Sequence, residues 1–437
     1  MNQKSLWRDS VTKPYFDALS GDCKTDVLII GGGLSGVLTA YMLRRQNVDC
    51  ILCEAGEICG GITKDTTAKV TIQHGLIYDR LLCRMGKNVA QGYLQAQREA
   101  LEEYKRLSGV YFFDFENRDS YVYSTENRTK LEEEVSAINA IGGKADYVAN
   151  IPLPLATKGA VRIPNQAQMH PLKLAYALAR HLSVYENTKI LELTPKYAQH
   201  AHGKIYAKKT VVATHFPFLN RNGMYFLKLY QHRSYVLGVE NTSGLRGMYV
   251  DESPTGFSFR DYDGLLLIGG GAHRTGKRGG GWREAEQFAA QHYPHARSVY
   301  HWATQDCMTL DGIPYIGRYS KNTPNLFVAT GYNKWGMTNA MVAARLLCDA
   351  ILEKNNSYAE VFDPSRSMLH AQLAVNLFES AKGLLTPTAP RCPHLGCALK
   401  YNRQEHSWDC SCHGSRFTQS GKLIDNLAKR GCGKKNK

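Results

Sequence analysis

The sequence predicts an α/β chain in which a parallel-sheet domain is interleaved with an antiparallel α+β domain, and a small β-rich lobe follows at the C-terminus. Three observations lead there. Residues 26–36, DVLIIGGGLSG, read as a buried strand passing through glycines into a helix, and residues 325–338, NLFVATGYNKWGMT, repeat that passage near the other end. After residue 390 the composition changes to closely spaced cysteine and histidine. Four apolar residues in a row at 27–30 suit a strand covered on both faces, as parallel sheets require.

The first passage places Gly31, Gly33 and Gly36 in the three fixed positions of GxGxxG. The first glycine permits the tight turn, the second lets backbone approach a pyrophosphate, and the third lets helix and strand pack closely. Leu34 and Ser35 then lie at a helix N-terminus whose unpaired N–H groups face phosphates. A helix-like run over 37–45 leads to a second strand at 49–53, which ends in Glu54, 18 residues past Gly36, where a ribose-binding acid belongs. The stretch GEICGGITKDTTAKVTIQHG that follows is too polar for core. From Ala55 onward it is expected to run along the cofactor: Gly60 and Gly61 allow close approach, Thr63, Thr66, Thr67 and Thr71 offer hydroxyls, and Ala68 lies among them. An ordinary polar loop is the alternative.

With 437 residues, 43% of them hydrophobic, the chain has room for two or three domains and a large core. No apolar run approaches the ~20 residues of a membrane span. The polar start, MNQKSLWRDS, lacks the apolar core of a signal peptide, which points to the cytoplasm. Lysine and arginine exceed aspartate and glutamate by 54 − 39 = 15, but they are spread along the chain, and no basic stripe with interleaved aromatics marks a nucleic-acid site. The charge reads as solubility and as steering of an acidic partner or substrate, and its densest cluster, 429–437, as a disordered tail. Of twelve cysteines, seven are scattered before residue 350 and five crowd into 392–432, the pattern of buried thiols plus a metal-binding group.

In chain order, residues 1–25 are a lead-in with Trp7 and Phe16 as anchors, and 26–90 open the parallel-sheet domain. Helical spacing at 87–107, alternating aromatics at 110–123 and a second helix pattern at 130–141 break the βαβ rhythm and assign 91–149 to the second domain. A helix from about Pro171, a short strand near 189–193, a hairpin and the strand 209–213 return to the first domain over 150–220, bringing Ala213 and Thr214 to the cofactor side. Strand-like patterning over 221–306 completes the second domain, and its loop HRTGKRGGGWRE reads as solvated and mobile. Residues 307–365 close the first domain; Gly331, Gly336, Met337 and Thr338 lead into a long apolar-faced helix whose N-terminus presents a positive dipole end.

Together IIGGGLSG with Glu54, the KTVVAT strand and DGIPYIG…NLFVATGYNKWGMT resemble the FAD-dependent oxidoreductases of the D-amino-acid oxidase and glycine/sarcosine oxidase family. The resemblance covers about residues 24–365. It implies a Rossmann-like FAD-binding domain interleaved with an antiparallel α+β substrate domain, and oxidation of the C–N bond of a small amine or amino acid. No arginine is placed by spacing as a carboxylate clamp. Lys277 and Lys69 are candidates for a lysine near the flavin, each with the alternative of an ordinary surface lysine; His74 is a candidate to face the flavin, or a structural histidine.

A helix and proline-containing linker over 366–389 precede the last lobe, 390–437. Cys392 and His394 form CxH, and 15 residues separate them from Cys410 and His413, which form CxxH. Two thiolates and two imidazoles suit a [2Fe-2S] cluster with one iron held by each pair; they also suit tetrahedral zinc. CPHLGC and CSCHGSRF resemble the two cluster-binding loops of Rieske proteins, which implies Cys392, His394, Cys410 and His413 as ligands and a disulfide between Cys397 and Cys412. Phe417 stands where high-potential relatives have a tyrosine, and DNLAKR replaces the usual third loop, so the lobe is short and is expected to lean on the body. The whole implies electron transfer between flavin and cluster, to an electron-transfer partner. The alternatives are an oxidase using O₂ with a structural cluster, or a non-catalytic redox sensor or carrier.

Overall fold

The computed structural model describes residues 4–219, 222–387, 390–425, 428 and 430–432; most of the basic tail and part of DNLAKR lie outside them. Its first sheet has strand Cys23–Ile30 at the centre, paired in parallel with Gly203–Val212 on one side and Cys50–Cys53 on the other. Leu326–Thr330 and Ser183–Tyr185 extend it in parallel on either flank. Buried on both faces, its central strands are apolar without alternation, and helices Leu34–Arg45 and Gly336–Ile351 pack together over it.

The second sheet has nine strands drawn from 69–70, 116–168 and 229–309. It differs from the sequence-based division in three ways. Ala160–Gln168, expected in the first domain, pairs antiparallel with Glu116–Tyr123 in the second sheet, because its partner lies some forty residues upstream and local pattern carries no trace of that pairing. The aromatics at 110–115 form no strand; only Glu116–Tyr123 does, and it runs parallel to Gly247–Asp251, so the sheet is not wholly antiparallel. Helix Lys87–Ser108, assigned from residue 91 to the second domain, instead packs on Gly336–Ile351, with Gln97 Nε2 donating to Asn339 Oδ1 at 2.7 Å and Tyr104 Oη to Met337 O at 2.8 Å. The lead-in anchors hold: Trp7 is fully buried and donates Nε1 to Thr66 O at 2.6 Å, and Phe16 packs half-buried against the same core.

Four short antiparallel strands, Leu399–Asn402, Ser407–Cys410, Arg416–Thr418 and Leu423–Asp425, form the last lobe. Too small to bury a large core, it docks on the long strand Leu229–Glu240 of the second sheet. Glu405, buried, accepts from Arg233 Nε (3.0 Å), Arg416 Nη2 (2.7 Å) and Tyr235 Oη (3.0 Å). Gln404 adds a backbone clamp, accepting from Trp282 N at 2.9 Å and donating to Gly280 O at 2.7 Å. The loop HRTGKRGGGWRE, expected to be solvated, is in part a docking surface. A Cβ on Gly276 would fall 2.5 Å from Ser411 N, and one on Gly281, at φ 62°, 2.0 Å from Gln404 Oε1.

Burial opposes ionisation of Glu405, but Arg233 and Arg416 outweigh it and hold the carboxyl below its usual value of 4.5. A depressed folded-state pKa contributes stability above the unfolded value that is lost as pH falls through the folded one. Glu405→Ala, which strands two buried guanidinium groups, is expected to cost about 3–5 kcal/mol. It should expose the lobe to limited proteolysis at neutral pH, as the wild-type protein becomes exposed only in acid.

Candidate functional site

A cavity of about 650 Å³ runs from the glycine turn to the last lobe. The turn is tight for steric reasons. A Cβ on Gly31, at φ 111°, would lie 2.6 Å from Ala213 O, and one on Gly36 only 2.0 Å from Gly31 O. A Cβ on Gly33 would meet nothing closer than Thr63 Oγ1 at 3.5 Å, so that glycine leaves open the space a phosphate would fill. Glu54 closes the second strand with its carboxylate fixed by backbone, Oε2 accepting from Gly32 N at 2.7 Å and Oε1 from Gly56 N at 2.9 Å. At the far end the wall is Leu423, Ile424, Asp425 and Ala428 of the last lobe, with Gln231 and Gln305 from the second sheet.

A second cavity, about 600 Å³, lies over the second sheet and shares Thr66, Asp306, Lys334, Gly336 and Met337 with the first. Lys334 is held there by a left-handed backbone at φ 73°. Burial lowers its ammonium against the pull of Asp306, and burial pushes the Asp306 carboxyl up to about 6 against Lys334. Four polar atoms lining this cavity, His232 Nδ1, Ser234 Oγ, Thr304 Oγ1 and Arg274 Nη2, are buried with no partner among the described residues. Buried polar atoms are rarely left so, and the row is suited to a polar ligand. Arg274 is braced by donation to Asn376 Oδ1 (2.9 Å) and Ser411 O (3.3 Å). Lys69 lines the same cavity, donating to Thr67 Oγ1 at 3.2 Å, and burial, aided by Arg260, pushes it down to about 7.

In the last lobe two loops bring Cys392, His394, Cys410 and His413 together, with the two imidazole rings 5.0 Å apart. Each loop closes on a glycine at positive φ: Gly396 (78°) donates to Cys392 O and Gly414 (80°) to Cys410 O, both at 2.9 Å. Cys397 and Cys412 form a disulfide across the loops, Cα to Cα 6.8 Å. Burial, with His394 beside it, pushes His413 down to about 3, which favours the neutral ring, the form able to bind a metal. Gln231 Nε2 donates to His413 O and Gln305 Nε2 to Gly414 O, each at 2.9 Å, so two residues of the first cavity's wall hold the second loop.

Comparison with known proteins decides the family. A family profile described as FAD dependent oxidoreductase matches residues 26–350, and a Rieske [2Fe-2S] domain profile matches 360–432. This chain belongs to the FAD-dependent oxidoreductase family. It carries a C-terminal Rieske domain, whose match begins ahead of the expected boundary at 390 and takes in the preceding helix. The Rieske 2Fe-2S iron-sulfur protein YhfW of Bacillus subtilis (strain 168) is 33% identical over 97% of this chain and 96% of its own length. Gamma-glutamylputrescine oxidoreductase of Escherichia coli (strain K12) is 23% identical over 81% of this chain and 89% of its own. The crystal structure of glycine oxidase from Geobacillus kaustophilus shares the fold, with TM-score 0.67 at 20% identity over 79% of this chain and 99% of that one.

FAD and a [2Fe-2S] cluster are the cofactors of such a chain, and the residues fit both. Of the residues expected to touch the flavin nucleotide, Gly31, Gly33, Leu34, Ser35, Glu54, Ala55, Gly60, Gly61, Thr63, Thr66, Ala213, Thr214, Gly331, Gly336 and Met337 line the first cavity. Gly36 serves helix–strand packing behind it, and Thr67 turns to the second cavity. Ala68, in a left-handed turn at φ 53°, points its carbonyl at Arg260 Nη1 (2.9 Å) instead. Thr71 and Thr338 lie in a packed cluster with His74, which shares hydrogen bonds with Tyr93 Oη (2.6 Å), Thr71 O (2.9 Å) and Thr338 Oγ1 (3.0 Å) and stacks on Trp335. With both ring nitrogens engaged and the ring pushed by burial down to about 3, His74 is structural. Lys277 is corrected too: it is paired with Glu379 (2.5 Å) of helix Ala371–Leu385, away from both cavities.

The residues sequence reasoning missed are Gln231, Gln305, Asp306, Arg274 and Lys334. The first four sit on strands of the second sheet, where alternation assigns a face without saying what lies above it. Lys334 stood in the quoted glycine turn, and its position there was the available signal. Gly33→Ala is expected to fold normally yet lower FAD affinity about ten-fold, whereas Gly36→Ala should lower the melting temperature itself. Flavin-to-protein absorbance ratio and thermal denaturation separate the two.

Proposed function

We propose that this enzyme oxidises the C–N bond of a small amine or amino acid bearing a carboxylate, and passes the electrons singly through the cluster to an external acceptor. When bound, FAD supplies two-electron oxidation and the [2Fe-2S] centre one-electron transfer. The observation that carries the reading is the shared wall: the cluster lobe closes the nucleotide cavity, and Gln231 and Gln305 line that cavity while holding the loop of His413. A short path between the two centres is what such transfer needs. An oxidase that discharges to O₂ has no use for it.

The second cavity supports the substrate class. Arg274, braced through Nε and Nη1 with Nη2 unpartnered, suits a carboxylate oxygen through Nη2, and Lys334 adds a second cation nearby. Lys69, neutral in part near pH 7, suits the base that deprotonates a substrate ammonium. Two relatives named for gamma-glutamylputrescine and for glycine agree with an amine or amino-acid class. No helix of the described residues is long and apolar enough to cross a membrane. Burial pushes the thiols of Cys50 and Cys53 up to about 11 and about 12, leaving them inert as packing groups. No nucleic-acid partner belongs to this reading.

Anaerobic addition of carboxylate-bearing amines to protein loaded with iron and flavin is expected to bleach the flavin bands and the Rieske absorption together. Stoichiometric peroxide in air with an oxidised cluster would favour the oxidase, and flavin that no amine reduces would favour the sensor. A lysine held at about 7 accepts a proton only above that pH, so the rate of flavin reduction should climb through about pH 7. Lys69→Met should remove that limb in stopped-flow traces.

A further inference from the structure

Helix Ala371–Leu385 inverts the usual orientation of a surface helix. Polar residues on one side face inward. Asn376 is buried, accepting from Arg274 Nη1 at 2.9 Å and donating to Leu227 O at 3.2 Å, and Glu379 pairs with Lys277. Gly383 seats against the disulfide, where a Cβ would fall 2.7 Å from Cys412 Sγ. Its apolar residues face solvent: Leu377 is 49% exposed, Phe378 65%, Leu384 49% and Leu385 82%. Ala374 and Ala381, also exposed, complete one stripe at helical spacing. Arg391 joins the stripe to the cluster site, donating to both Leu384 O (3.1 Å) and Gly396 O (2.7 Å), beside exposed Leu395. Contiguous apolar surface of this kind marks an interaction site.

The rim selects the occupant. Arg278, Lys382, Arg391 and Lys400 are exposed around the stripe. Besides its partial burial, Lys400 feels the charges of Lys277, Lys382 and Arg278, with Glu379 the acid among them. A second copy related by a two-fold axis would bring these same cations face to face. An acidic redox protein would meet the charge, but electron-transfer contacts are small and weak and would leave much of this stripe in water. Leucine and phenylalanine on one face with lysine and arginine at its margins match an anionic bilayer surface, where apolar side chains enter the acyl boundary and cations meet phosphates.

We propose that helix Ala371–Leu385, with Leu395 and the rim of Arg278, Lys382, Arg391 and Lys400, docks this protein peripherally on a membrane surface rich in anionic phospholipid, with the cluster loops beside the bilayer. The inference is independent of the substrate reading.

Full-length protein carrying both cofactors is sedimented with vesicles of phosphatidylglycerol and phosphatidylcholine, and with phosphatidylcholine alone. Binding is expected on the anionic vesicles, weakening as salt rises, and falling about ten-fold or more in Leu377→Glu/Phe378→Glu with flavin and cluster absorption unchanged. Should that pair disturb folding, Phe378→Trp provides the second measurement, the introduced indole's emission shifting to the blue on adding anionic vesicles. Failure to sediment at low salt, binding that the substitutions leave intact, or indole emission in the Phe378→Trp variant that does not move would overturn the proposal. So would a solution dimer that the double substitution turns into a monomer, or a stoichiometric complex with an acidic redox protein that alone covers the stripe.

Discussion

Strand Leu229–Glu240 carries the contact on which the rest of this molecule depends, because it belongs to the second sheet, walls the nucleotide cavity and receives the cluster lobe. Gln231 and Arg233 act two residues apart on the same strand face: one amide holds a ligand loop by its carbonyl, and one guanidinium meets Glu405 in a buried network with Arg416, Asp409 and Asp425. Buried charges are costly unless fully paired, so the network tolerates few arrangements of the lobe. It fixes where the cysteine–histidine loops stand relative to the first cavity.

This constraint explains how so short a lobe forms a site. Four strands of three or four residues bury little by themselves, and the disulfide ties the loops to each other without tying them to anything else. Helix Ala371–Leu385 and the glycine loop at 276–281 supply the missing support through Gly383, Gly276 and Gly281, positions where a side chain would collide. The body therefore does for the cluster loops what a larger β-scaffold would otherwise do. The same helix also closes the second cavity through Gln372 and Val375, so the second cavity and the cysteine–histidine loops share one supporting element.

The two cavities meet at Asp306 and Lys334, two half-buried groups of opposite charge that line both. Each opposes the other's neutralisation by burial, which keeps a polar, ionisable junction where a reacting atom would pass. The unpartnered row of His232, Ser234, Thr304 and Arg274 continues that polarity into the second cavity. His74 shows the contrast: with both nitrogens satisfied it contributes packing alone.

The sequence by itself determined the chemistry that local geometry demands. The glycine turn, Glu54 at its offset, and the cysteine–histidine pairs with their glycines each act through a handful of consecutive residues, where sterics and ligand spacing leave one conformation open. It also determined the alternation of two domains, since a change of hydrophobic period is a local signal. Tertiary structure alone decided that Ala160–Gln168 joins the second sheet, that Lys277 pairs with Glu379 and Lys69 enters a cavity, and that Gln231 reaches the loop of His413. Those outcomes are contacts between residues roughly forty to two hundred apart in the chain. Their energies come from desolvation and pairing on folding, which no periodicity along the chain records.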